Sequence, residues 1–252
     1  MDYLPEAAIT AEVGEPLDFT RRWSGVELMD DPACDEQLLF ATLRQFRLLN
    51  RLVSRYRSVL GHAVLDDMAR APRRDWHLVD VGAGGCDIPV WLLRAARRRG
   101  LSLRVTAIDG DPRAVAFARE AAGSEPGLSI VHADLMDIGC FGPVDYVFSN
   151  HVVHHLPDAV IRSFFERMDQ TVSRRWVVSD LCRSVWAYAG FQVLGRLFRN
   201  SFAFEDGKRS IRRSLRADEL AGHLAAIGAA DRSRVTTLPP GRLLAVVDVR
   251  SA

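Results

Sequence analysis

"HLVDVGAGGCDIPVWLLRAA", His77 to Ala96, passes from an apolar run through a cluster of glycines into an amphipathic pattern. That order reads as strand, tight turn and helix, the opening of a nucleotide-binding α/β unit. The glycines do not suit a dinucleotide. A GxGxxG fingerprint beginning at Gly82 requires a third glycine at position 87, and Asp87 stands there. Asp80 precedes the turn and Asp87 follows it, so a pyrophosphate would meet two carboxylates. Like charges a few ångströms apart cost on the order of several kcal/mol at intermediate dielectric.

A cationic ligand reverses that sign. S-adenosylmethionine (SAM) carries an ammonium and a sulfonium and no phosphate, so the charge pattern favours it over NAD. The next two strand ends supply further acids. Asp109 closes "LRVTAID", about 25 residues beyond the glycines, where a carboxylate accepts hydrogen bonds from both ribose hydroxyls. Asp134 closes "LSIVHAD", where an acid accepts from an adenine amino group. Three acids in order, at the tips of consecutive strands, mark the edge where α/β folds bind ligands.

Strands and helices alternate outward from this unit. "DPRAVAFAREAA" is a helix, with Asp111 as cap and Pro112 at its first position. "VDYVFSN" and "RWVVSDL" are strands that flank a helix in "PDAVIRSFFERMDQTV". Four such alternations imply a parallel sheet with helices on both faces. Before it, Leu38, Leu39, Leu43, Phe46, Leu49 and Val53 recur at helical spacing from Asp35, and a second helix covers about 59–70. After it come an amphipathic helix, "ADELAGHLAAIGA", and two strands around the Pro-Pro-Gly of "SRVTTLPPGRLLAVVDV". Residues 1–34 read as irregular. Between Leu181 and Ala217 the alternation breaks into an apolar stretch, "VWAYAGFQVLGRLF", and a basic one, "GKRSIRRSLR", too long for an ordinary loop.

The 252 residues suffice for one large α/β domain with additions, and 48% hydrophobic with 26% charged residues makes the chain globular rather than disordered. A net charge of +1, from 33 basic and 32 acidic side chains, argues against a broad nucleic-acid surface. Cys34, Cys86, Cys140 and Cys182 form no CxxC pair, so neither a structural metal site nor a disulfide framework is expected. The opening "MDYLPEAAITAEVGEP" has no basic start followed by an apolar core, and no run reaches about 18 apolar residues. A cytoplasmic protein without a membrane span is expected.

"VDVGAGGCD", "AIDGDP", "HADLMDI" and "DYVFSNHVVHHLPD" together resemble the ordered motifs of class I SAM-dependent methyltransferases, most of all the small-molecule branch that includes ubiquinone and menaquinone biosynthesis enzymes. The resemblance is close over residues 75–182 and looser beyond. It implies a Rossmann-like, doubly wound seven-stranded sheet with an antiparallel last strand, and SAM bound across the strand ends. Residues 1–74 are then an irregular segment with covering helices, 75–252 the SAM-binding domain, and about 182–216 a helical insertion acting as a substrate lid. By position, the resemblance places Asp80, Gly82, Ala83, Gly84 and Asp87 around the donor. It gives Asp109 with Gly110 to the ribose, Asp134 with Leu135 to the adenine, and Asn150 and His151 to the methionine part and the methyl group. Cys86 departs from the pattern, standing where the family usually has its third glycine. The turn is expected to persist around a buried thiol that behaves as a small hydrophobe.

Methyl transfer requires alignment, exclusion of water and, for a hydroxyl acceptor, removal of a proton. Histidine suits that last task near neutral pH. His151 is the first candidate base and His154 the second, each set against a structural role. Asp180 either orients a histidine, touches the acceptor or caps the next segment. Trp186, Tyr188, Phe191, Leu194, Leu197 and Phe198, with the helix around Phe40, Leu43 and Phe46, either roof an apolar acceptor pocket or form ordinary core and homodimer contacts. Lys208, Arg209, Arg212, Arg213 and Arg216 read as a solvated face. The expected activity is methylation of a small, fairly apolar acceptor, at a hydroxyl of an aromatic or polyketide-like metabolite, with carbon or nitrogen acceptors open. A nicotinamide oxidoreductase and a non-catalytic SAM-binding partner are the competing readings.

Overall fold

The strand read from residues 77–81 is the centre of the sheet. A computed structural model describes residues 17–71, 75–198 and 200–249. The expectations for the extreme N-terminus and for the link at 72–74 lie outside the described residues. Helix α1 (Glu36–Val53) begins where the pattern placed it, with the Asp35 side chain accepting from the Leu38 amide at 2.9 Å. Helix α2 (Tyr56–Leu60) runs through a π-helical turn (Gly61–Leu65) into α3 (Asp66–Arg70), so the second helical stretch starts three residues earlier than its apolar spacing indicates.

The sheet unit then follows in order: β1 (Asp75–Val81), α4 (Asp87–Arg98), β2 (Ser102–Asp109), α5 (Pro112–Ala122), β3 (Leu128–His132), β4 (Val144–Asn150), α6 (Asp158–Thr171) and β5 (Val172–Leu181). The insertion forms α7 (Val185–Leu194) and α8 (Ala203–Arg213), and α9 (Ala217–Ala226), β6 (Ser233–Leu238) and β7 (Arg242–Asp248) complete the fold. The strand order is β3-β2-β1-β4-β5-β7-β6, with β7 antiparallel to both of its neighbours, as the resemblance implied. One core of Val, Ile, Phe and Trp side chains lies between one sheet face and α6 with α9; a second lies between the other face and α2 to α4. The chain leaves β1 toward β2 and returns to β4 on the opposite side. A crevice opens where the strand order reverses, at the carboxyl ends of β1, β2 and β4.

One expectation is sharpened and one changes. Residues 17–34 are irregular, as expected, but firmly held. They run as an extended strap with a short 3-10 turn (Leu28–Asp30), held against α8 by the Trp23 amide on the Arg212 carbonyl (3.1 Å) and by both oxygens of buried Asp206, which accept from the Leu28 and Met29 amides at 2.6 and 3.0 Å. The basic run is a solvated face only at Arg216, with Lys208 half-buried. Arg209, Arg212 and Arg213 are 5%, 6% and 8% exposed. The guanidinium groups of Arg209 and Arg212 lie over the Trp23 ring, and Arg209 donates to the Val26 carbonyl at 3.0 Å. A basic helix face is buried here because carbonyls and an indole satisfy it, which composition alone does not show.

Candidate active site

All twelve residues singled out for the donor and the chemistry line one cleft of about 1130 Å³ at the strand ends. That exceeds the roughly 300–1,000 Å³ of a pocket for one drug-sized ligand, leaving room for a nucleoside-sized donor beside a second molecule.

The donor end is built by the glycine turn. Gly82 has φ +67°, and a Cβ there would meet Val152 Cγ2 at 2.2 Å. Only glycine lets the backbone turn this tightly against the loop after β4. Cys86 caps α4 in the left-handed region, φ 54°, fully buried beside Ala107 and Ala118; burial pushes its thiol well above the ordinary range. The expected inert thiol and intact turn are both present.

Asp109 accepts from the Gly84 amide at 2.9 Å and from the Asp111 amide at 3.0 Å, which ties the β2 tip to the turn. Asp80 is 3% exposed, and its carboxyl is held well above the usual range by burial and by Asp87 and Asp109. Burial pushes Asp87 up to about 6, and burial also raises Asp109. Asp87 is the first residue of α4 rather than its cap. One of its oxygens accepts from Asn50 Nδ2 of α1 at 3.3 Å, and the other is buried with no hydrogen-bond partner among the described residues. Three crowded carboxylates with an orphaned oxygen repel a phosphate and suit a cation. Asp134 sits further out, exposed, with one oxygen accepting from the Met136 amide at 2.8 Å.

Asn150, the last residue of β4, and His151, just past it, meet a residue that the motifs did not indicate. Arg242 opens β7 and is 2% exposed. It donates to His151 Nε2 at 2.6 Å, and to Asn150 Oδ1 and Ser179 Oγ at 2.7 Å each. Burial and the Arg242 charge hold His151 well below its usual pKa, so the ring is neutral. Since guanidinium only donates, Nε2 carries the lone pair and Nδ1 the proton. Nε2 is therefore held by Arg242, and of the two roles weighed for His151 this arrangement suits the positioning one. His151 is also left-handed, φ 61°, a strained conformation of the kind that gathers at functional sites.

For His154, too, the surroundings suit the structural role that was set against the base. His154 is 2% exposed, with Nδ1 on Asp180 Oδ1 at 2.7 Å and Nε2 on Glu27 Oε1 at 3.2 Å. Burial opposes its charge, but Asp180 and Glu27 outweigh it and hold the ring up to about 10. A proton-filled imidazolium takes no proton near neutrality. Asp180 thus orients a histidine, the first of the roles considered for it. His155 lies alongside, Nδ1 on Asp30 Oδ2 at 3.0 Å.

Leu43, Phe46, Leu49 and Val53 of α1 and Trp186, Phe191 and Leu194 of α7 also line this cleft. Of the other roof candidates, Phe40 meets Phe117, Tyr188 meets Phe19, Phe198 is buried and Leu197 is 75% exposed. Local motifs missed Glu27, Asp30, Asn50 and Arg242. The only trace of Arg242 is its place one residue after the Pro-Pro-Gly turn at the sheet edge; Glu27 and Asp30 lie in a segment with no periodic signal.

Residues 78–174 match the family model described as a methyltransferase domain. Over that stretch the chain is similar to a methyltransferase domain. Solved structures share its fold. The magnesium protoporphyrin IX methyltransferase of Synechocystis PCC 6803, with bound S-adenosylhomocysteine (SAH), is 15% identical, covers 88% of this chain and 91% of its own, and has a TM-score of 0.53. A SAM-dependent methyltransferase of Aquifex aeolicus is 14% identical over 84% of this chain and 98% of its own, TM-score 0.59. The SAM-dependent methyltransferase SibL, in its apo form, is 21% identical over 98% and 70%, TM-score 0.59. No curated protein matches the chain. The acid cluster at the glycine turn fits a cationic ligand such as SAM. Among the described residues, no helix is long and apolar enough to cross a membrane.

Proposed function

We propose that this enzyme methylates a hydroxyl of a small, fairly apolar molecule, aromatic or polyketide-like. The observation that carries the reading is the mixed lining of the cleft: buried Asp80 with half-buried Asp87 and Asp109, together with aromatic and aliphatic side chains of α1 and α7. Structural neighbours include a methyltransferase for plantazolicin and the CMeT domain of a citrinin polyketide synthase, which supports a natural-product acceptor by analogy of fold.

When bound, SAM supplies an electrophilic methyl group on its sulfonium. The chain positions it. Asp109 keeps lone pairs beyond its two backbone bonds and accepts from the ribose hydroxyls; Asp134 uses its second oxygen for the adenine amino group, with Leu135 against the ring. Gly82, Ala83, Gly84 and Gly110 allow close approach, and Asp80 and Asp87 balance the ammonium. Asn150, fixed by Arg242, borders the methionine part. His151 donates a hydrogen bond that orients the acceptor oxygen, and the residues 182–216 close the mouth to water. Alignment and dehydration supply most of the acceleration in such a displacement.

Incubation with methyl-labelled SAM and a panel of phenols, hydroxyquinones and polyketide lactones tests this. Label on a phenolic oxygen is expected. Label only on RNA or protein overturns the acceptor class, and label on ring carbon overturns the hydroxyl.

A further inference from the structure

The acceptor end holds a group of side chains that donor binding does not need. His154 and His155 follow β4 with ring centroids 4.2 Å apart. Each ring has its Nδ1 against a carboxylate, Asp180 at 2.7 Å for His154 and Asp30 at 3.0 Å for His155. Each directs its Nε2 at a third carboxylate, Glu27, at 3.2 Å and 3.9 Å. Glu27 is 1% exposed, and Ser210 Oγ donates to it at 2.9 Å. Both histidines are held from behind: Arg213 donates to the carbonyls of His154 (3.1 Å) and His155 (2.9 Å), and Arg22 to that of His154 (3.2 Å).

With each Nδ1–H donated to its carboxylate, each Nε2 is turned toward the Glu27 carboxylate, and that meeting needs a cation: a second proton on His154, or an ion that displaces it. A proton on His154 serves the 3.2 Å contact and leaves His155 Nε2 too far from Glu27 for a hydrogen bond. A divalent ion serves all three. Ligand atoms at about 2.0–2.2 Å from a tetrahedral ion lie roughly 3.3–3.5 Å from one another, and these three atoms already lie within 4.8 Å. Carboxylates behind both imidazoles are the arrangement that fixes ligating histidines.

We propose that Glu27, His154 and His155 bind one divalent cation of the zinc type, with the fourth position open to the acceptor end of the cleft. Two imidazoles and one carboxylate suit zinc, cobalt or nickel better than magnesium or calcium. The neighbouring trio His151, His154 and Asp180 is not the site, because the Arg242 guanidinium holds His151 Nε2. An acceptor hydroxyl in the open position would release its proton to water in the cleft and present a better nucleophile. That consequence rests on the hydroxyl reading above; the metal site does not.

Calorimetric titration of the chelator-treated full chain with zinc chloride, and the visible absorption of the cobalt(II) form, test the proposal. One ion per chain is expected. Glu27→Gln is expected to weaken binding at least a hundredfold and Asp30→Asn about tenfold, with SAH affinity unchanged. If circular dichroism shows that Glu27→Gln is unfolded, the more exposed His155→Ala replaces it. No saturable binding by the wild type, or binding that survives both Glu27→Gln and His155→Ala, overturns the site. Loss of SAH binding by the wild type would instead strike the donor reading.

Discussion

The two ends of the cleft are made in different ways. The donor end comes from consecutive strand tips, and its links are short in sequence: Gly84 to Asp109 spans 25 residues, and Asp111 to Asp109 spans two. The acceptor end is stitched from remote pieces: Arg209 to Val26 spans 183 residues, and Arg213 to His154 spans 59. A site made by local turns is fixed by motif. A site made by distant segments meeting depends on packing that no short pattern encodes.

Damage at the donor end should therefore be severe and specific. Gly82→Ala places a Cβ 2.2 Å from Val152 Cγ2 at a positive φ. It is expected to lower SAH affinity about a hundredfold and stability by about 3 kcal/mol, read by calorimetry and thermal melting. An unchanged affinity would break the contrast, since the turn would then not be the cradle.

The crowded acids give the next largest effect. Asp87 sits near 6, above its ordinary value, so the folded chain holds a proton that the unfolded chain releases between about pH 4 and 6. Its contribution to the ligand-free enzyme is most favourable below that window. It is lost as pH rises through it, by about 3 kcal/mol. Denaturant melts across that range should show the fall, and Asp87→Asn should flatten it while weakening SAH binding. Asp109→Ala is expected to cost roughly 1–3 kcal/mol of SAH binding.

The acceptor end should answer differently. Arg213→Gln removes donors from the His154 and His155 carbonyls. Stability is expected to fall by about 2 kcal/mol with SAH affinity intact, which sharpens the separation of the two ends; a joint loss would merge them. Smallest, His151→Ala is expected to lower turnover about tenfold with the alkaline limb of the pH profile unchanged, as fits a positioning donor. A loss of a hundredfold or more would restore it as a base.

These contrasts match what was legible beforehand. The alternation of strands and helices, the glycine turn and the acids at 80, 87, 109 and 134 could be read because apolar runs, glycine clusters and strand-end acids are local signals, whereas the antiparallel last strand came only from the family resemblance. The helix spacing that flagged Leu43, Phe46, Phe191 and Leu194 also held. The fate of Arg209, Arg212 and Arg213 could not be read, because a cluster of like charges says nothing of the Trp23 ring and strap carbonyls that meet it. The histidines after β4 were visible as residues, but their protonation was not. It is set by Arg242, Asp180 and Glu27, from 26 to 127 positions away.

The inward-turned arginines of α8 also constrain the order in which the enzyme can be finished. The strap at residues 17–30 leaves the ribosome early, yet the helix that grips it is translated some 180 residues later. Until then that peptide has only the loop after β4, met by Arg22 and Glu27, to rest on, and a protease acting on the growing polypeptide would find it first. The wall of the chamber nearest the beginning of the chain is thus the last to be hung.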